Sequence, residues 1–132
     1  MIIYKEDHDG DMVQNIQEII NVTDEITRRL ECDGATSGYE KLYTRLVWEY
    51  FGGMARFLQE SLNVLKPGGK VALLVSDSHA FKMVHIETAK ILKVIGETVG
   101  FVDSEILLWQ NKVSTSHRYQ LRENILIMQK PK

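Results

Sequence analysis

Cysteine is nearly absent from this chain of 132 residues: Cys32 stands alone, so no intrachain disulfide can form and a Cys-rich zinc site is excluded. Neither basic nor acidic charge dominates, since 16 Lys and Arg stand against 18 Asp and Glu, a formal charge of -2 that supplies no whole-molecule basic field for a phosphate backbone. No apolar run approaches the roughly 18 residues that span a bilayer. The first residues, Met1-Ile2-Ile3-Tyr4-Lys5-Glu6-Asp7, have neither the basic segment nor the apolar stretch of a secretory signal. Together these absences predict a reducing, cytoplasmic setting and no membrane partner. The histidines, His8, His79, His85 and His117, show no His-x-x-x-His or His-Glu-x-x-His spacing, so no zinc or other metal site is expected from them. Gly-x-Ser-x-Gly is missing too, which leaves nucleophilic hydrolysis without a motif.

What remains is an ordinary globular composition, 44% apolar and 26% charged, of a length that suits one hydrophobic core. Charge is unevenly spread: residues 1–69 carry 7 basic and 12 acidic groups (-5), and residues 70–132 carry 9 and 6 (+3), so a polyanion would prefer the second half. Asp7, Asp9, Asp11 and Glu18 match places in a calcium-loop template, but Met12 stands where that loop needs glycine, and an acidic solvated segment is the better reading.

Periodicity predicts a first helix over Asp11–Glu31, bent near Asn21–Thr23 and stopped by Cys32-Asp33-Gly34, with a loop over 33–38. A longer helical pattern covers Tyr39–Leu65, with a kink or close packing expected at Gly52-Gly53. Lys66-Pro67-Gly68-Gly69 ends it, because proline cannot continue a helix and glycine accepts a tight turn. Val71-Ala72-Leu73-Leu74-Val75 then reads as a strand buried on both faces of a parallel sheet, followed by a polar loop over Ser76–His79. Met83–Val99 reads as a third helix capped by Gly100. Phe101–Trp109 and Glu123–Gln129 read as strands separated by a hairpin loop over Gln110–Gln120. This order specifies an α/β fold with crossover helices and a C-terminal antiparallel hairpin.

Several of these segments are familiar as a set. Tyr39-Glu40-Lys41-Leu42-Tyr43, Glu60-Ser61-Leu62-Asn63-Val64, Leu65-Lys66-Pro67-Gly68-Gly69, Val75-Ser76-Asp77-Ser78, Gly100-Phe101 and Glu123-Asn124-Ile125-Leu126-Ile127-Met128-Gln129-Lys130 together resemble the C-terminal half of class I S-adenosylmethionine-dependent methyltransferases. The resemblance is greatest to DNA methylases acting on the exocyclic amino groups of adenine or cytosine, and it covers about residues 39–132. It implies a partial Rossmann-like sheet, S-adenosylmethionine as cofactor, nucleic acid as partner, and methyl transfer to a base taken out of its stack. It divides the chain into an acidic segment with a helix over 1–38 and a methyltransferase-like half-domain over 39–132, packed as one compact domain.

Two family features are missing. No glycine-rich cofactor turn is present, and with prolines only at Pro67 and Pro131 there is no Pro-Pro-Tyr catalytic motif. No catalytic or cofactor-binding residue can therefore be assigned. The chain is placed just after the family's catalytic loop, with the missing motifs expected upstream. At about 30 residues per βαβ unit, a sheet of six or seven strands needs roughly 200. A half-sheet leaves an unpaired edge and an apolar face, so a homo-oligomer or a complementing N-terminal half is expected.

Two substrate-side candidates remain. Ser76, Asp77, Ser78 and His79 follow a strand at the edge where open α/β sheets bind ligands; they either line a pocket or, for Asp77 and Ser78, cap the next helix. Trp109, Lys112, His117 and Arg118 sit in or beside the hairpin loop and combine an aromatic ring with cations, which suits phosphates and an unpaired base; a merely solvated loop is the alternative.

Overall fold

Local hydrogen bonding explains where the helices begin and end. The computed structural model describes residues 9–34, 42–79, 81, 83–113 and 120–132. A 3-10 turn, Asp9–Val13, comes first, and helix α1 follows over Gln17–Cys32. The break between them falls at residues 14–16, not near Asn21–Thr23 as periodicity suggested. Ile16 is extended there, and its N–H donates to Val13 O at 3.0 Å. Thr23 does not interrupt α1, because its buried hydroxyl donates to Ile19 O at 3.0 Å within the same helix. Asp33 ends α1 and Gly34 follows at φ +63, a backbone angle glycine adopts without penalty.

Helix α2 covers Tyr43–Val64 and is continuous through Gly52-Gly53; the predicted start at Tyr39 lies outside the described residues. Its buried positions, Val47, Phe51, Gly52, Ala55 and Leu58, form one stripe at helical spacing. The turn after it is stitched to the far end of the chain: Lys130 Nζ donates to Leu65 O at 2.9 Å and Gln129 Nε2 to Gly68 O at 3.1 Å. Gly69 is required by space, since a Cβ there would lie 2.8 Å from Lys66 O.

Strands β1 (Lys70–Ser76), β2 (Val102–Val113) and β3 (Gln120–Gln129) form a three-stranded sheet in the order β1-β3-β2, with both pairings antiparallel. The protein is thus an α/β structure with an open antiparallel sheet. The expectation that β1 lies in a parallel sheet, buried on both faces, is overturned. β3 is its hydrogen-bonded neighbour, and Lys70, Ala72 and Leu74 are exposed while Val71, Leu73 and Val75 are half-buried. The apolar run has one inward face, not two. β1 and β2 nevertheless point the same way, each opposed to β3, and a crossover through helix α3 (Thr88–Val99) joins them.

Three other boundaries move. α3 starts at Thr88, not Met83, because Met83 sits at φ +63 and Ile86 is tied back to Ser78 in an antiparallel bridge. Ser76 belongs to β1 rather than to a loop. Gln110–Val113 and Gln120 belong to strands, paired Gln110 with Glu123 through Val113 with Gln120, so both ends of the predicted loop over Gln110–Gln120 are strand; residues 114–119 lie outside the described residues.

The core lies between one sheet face and the helices. Leu126 and Met128 of β3, Leu92 and Ile95 of α3, Phe51 and Leu58 of α2 and Ile19 and Ile26 of α1 are essentially inaccessible and belong to one hydrophobic cluster. α3 approaches the sheet closely enough that a methyl on Gly96 would overlap the Met128 sulfur. The opposite sheet face carries Leu74, Ile125 and Leu107 in one cross-strand row, with Leu74 60% and Leu107 41% exposed. Among the described residues, no helix is long and apolar enough to cross a membrane.

Candidate functional site

The end of β1 brings four sequence-predicted residues to one place and assigns them different surroundings. Asp77 is 6% exposed, and its N–H donates to Arg122 O of β3 at 2.9 Å. The next residue turns the other way: Ser78 N–H donates to Ile86 O at 3.0 Å, and Ile86 N–H returns to Ser78 O at 2.8 Å. This bridge brings His85 to both Asp77 and His79. His85 Nε2 lies 3.2 Å from Asp77 Oδ2, and His85 Nδ1 lies 3.0 Å from His79 Nε2. The imidazoles meet edge to face, with centroids 4.5 Å apart and planes at 90°.

The chemistry of such a chain follows from its donors. Asp77 is an acceptor when ionised, so His85 presents Nε2–H to it and keeps a lone pair on Nδ1 for the Nε2–H of His79. That tautomer is assigned from the network, since hydrogens are placed by it. Burial is the main influence holding the His79 pKa below its ordinary value; a charged His85 adds to it, Asp77 opposes it, and Arg29 of α1 adds a smaller push. The arrangement can store or pass one proton between a buried carboxylate and two imidazoles.

An open cleft of about 610 Å³ borders this chain, with Asp77, His85, Glu87, Lys90, Asn111 and Arg122 among its lining residues. Lys90 Nζ pairs with Glu87 Oε2 at 2.5 Å, and that hydrogen bond chiefly lowers the Glu87 pKa. Ser76 and Ser78 border a separate apolar cavity of about 220 Å³ at the end of β1, with Phe51 of α2, Phe81 and Ile86. Neither Asp77 nor Ser78 caps α3, whose N-cap is Glu87 with no side-chain cap bond. The helix-capping alternative is thereby removed.

Of the hairpin candidates, the described Trp109 and Lys112 do not line this cleft. Trp109 is 60% exposed on β2, and Lys112 is exposed opposite Leu121. His117 and Arg118 lie outside the described residues. Sequence reasoning missed His85, Glu87, Lys90 and Arg122. It passed over His85 because the histidines show no His-x-x-x-His or His-Glu-x-x-His spacing; the contact with His79 follows from the Ser78–Ile86 bridge that closes the segment. No group of three or more His, Cys, Asp or Glu side chains converges to hold a metal ion among the described residues. A glycine-rich turn able to take S-adenosylmethionine has no counterpart there either, so these residues do not fit that cofactor by themselves.

No protein-family model, no curated protein and no solved structure matches the chain.

Proposed function

We propose that the chain is a methyltransferase-like half-domain related to the nucleobase amino methylases, one that requires a complementing polypeptide for S-adenosylmethionine binding and catalysis. The observation that supports this reading is the sheet order. Two strands of one direction are joined by a crossover helix, and the closing strand is inserted antiparallel between them. The resemblance of the sequence implies a closing antiparallel hairpin in this position. In this reading the β1 end, with Asp77, His79 and His85, faces the substrate side, and Trp109 and Lys112 lie on a nucleic-acid-facing hairpin. No step through the cofactor is assigned to the chain's own residues.

The second reading is a non-catalytic module that binds a protein partner or itself. It is favoured by one specific observation, the row Leu74–Ile125–Leu107, which among the described residues is uncovered and lies beside an unpaired strand edge. Calorimetric titration with S-adenosylmethionine, on the chain alone and mixed with a polypeptide that carries the missing cofactor turn and Pro-Pro-Tyr motif, separates the two. Binding in the mixture but not in the chain alone supports the methyltransferase reading; no binding in either sample overturns it in favour of the module.

A further inference from the structure

The two edges of the sheet are built for opposite fates. β2 is irregular: its pairing with β3 shifts between Val102 and Glu105 and again between Leu108 and Gln110, and Asp103 stands at φ +51. Such bulges, with Asp103, Glu105 and Lys112 along the strand, are the devices that prevent another chain from pairing. β1 has no bulge, and its one charge is at its first residue, Lys70. Its pairing with β3 is regular from Lys70 to Ser76, and between Val71 and Ser76 it holds no proline and no charge.

Hydrogen-bond alternation shows which groups face outward. Asp77 donates inward to β3 and Ser78 donates outward to Ile86, so odd-numbered residues of β1 bond to β3 and even-numbered ones point their N–H and C=O to the outer side. The Ser78–Ile86 bridge occupies that side beyond Asp77, and the turn at Gly68-Gly69 leaves it at the other end. Among the described residues nothing pairs with the outer side of Lys70–Ser76, seven residues centred on Leu73.

We infer that a second copy of this chain occupies this edge, with the two β1 strands antiparallel about a two-fold axis at Leu73, so that two three-stranded sheets become one of six. The side chains are self-complementary in that register. Ala72 of each copy meets Leu74 of the other, small against large, and the open-face rows join as Leu107–Ile125–Leu74 continued by Ala72 and Ile127 of the second copy. Lys70 meets Ser76, and the next strand on the same face carries Glu123 about 9.5 Å from Lys70, two strand spacings and within reach of the two side chains. No like charges face each other. The inference deepens the second reading, a module that binds itself, and makes no use of the methyltransferase resemblance.

Sedimentation equilibrium of the full chain across micromolar to submillimolar concentration tests it, with circular dichroism to establish that each variant is folded. The wild type dimerises. Leu74→Lys, on a side chain already in solvent, weakens the dimer by about tenfold or more, since two cross-strand pairs are lost per dimer. Ala72→Pro, which removes an outward N–H and no bond to β3, does the same. In a Cys32→Ser background, Leu73→Cys forms an intermolecular disulfide on mild oxidation, because a non-hydrogen-bonded pair on the axis brings the two Cα atoms to about 4.5 Å. A wild type that stays monomeric throughout overturns the inference. So does a dimer that survives both Leu74→Lys and Ala72→Pro, or a Leu73→Cys variant that does not cross-link while dimeric.

Discussion

The two faces of the sheet differ more from each other than either strand order or composition would suggest. On one face Leu126 and Met128 are closed off by α3 and α2, and Val71, Leu73, Val75 and Ile106 pack against the same cluster. On the other, Leu74 and Leu107 stand 60% and 41% exposed, and among the described residues no helix covers them. The three described helices all pack on one side. A β-sheet with apolar residues on both faces needs two cover layers, and this structure provides one of them.

The largest test of that difference is a pair of truncations at adjacent strand positions. Leu126→Ala removes a fully buried side chain between α3 and the sheet and costs about 2–5 kcal/mol. Leu74→Ala, measured by urea unfolding at a concentration low enough to hold the monomer, costs less than about 0.5 kcal/mol. Comparable losses at the two positions would mean that the second face is covered after all.

A smaller effect comes from Gly96, where α3 touches β3. Gly96→Ala gains about 1 kcal/mol of helix propensity but forces a methyl against the buried Met128 sulfur, an overpacking that costs about 1–3 kcal/mol. A net loss near 1 kcal/mol is expected by denaturant unfolding. Adding Met128→Leu, which removes the sulfur, should recover part of it; no recovery would locate the strain elsewhere.

These contrasts also mark what the residues disclosed before folding. The Leu65–Gly69 stop, the three helical stripes and the three strands were readable because a proline, glycines and apolar periodicity act locally. The environment of β1 was not readable. Val71–Val75 is apolar at every position, and such a run does not distinguish a strand buried on two faces from one whose second face is left open. The start of α3 was missed because Met83–Glu87 has helical composition yet is held by a bridge to Ser78, a contact no local signal encodes. The Asp77–His85–His79 chain was half visible: the β1 end was singled out, whereas the two histidines were read as unrelated because their contact depends on that same bridge.

The smallest effect concerns pH. The His79 pKa is lowered in the folded state, so folding favours the neutral ring, and stability present above pH 6.5 is lost as pH falls below it. His79→Gln should flatten the pH dependence of stability between pH 7 and 5, and an NMR titration should place the His79 midpoint below 6.5. A midpoint above 6.5 would contradict the burial and charge argument.

Amide hydrogen exchange of β1 tests the one-sided sheet and its open edge most directly. At low concentration the N–H groups of Val71, Leu73 and Val75, bonded to β3, should be protected, while those of Ala72 and Leu74 exchange near their unprotected rates; raising the concentration should protect Ala72 and Leu74 as the second copy pairs. Protection of Ala72 and Leu74 that is already complete in the dilute monomer, or that never appears at any concentration, would contradict the account.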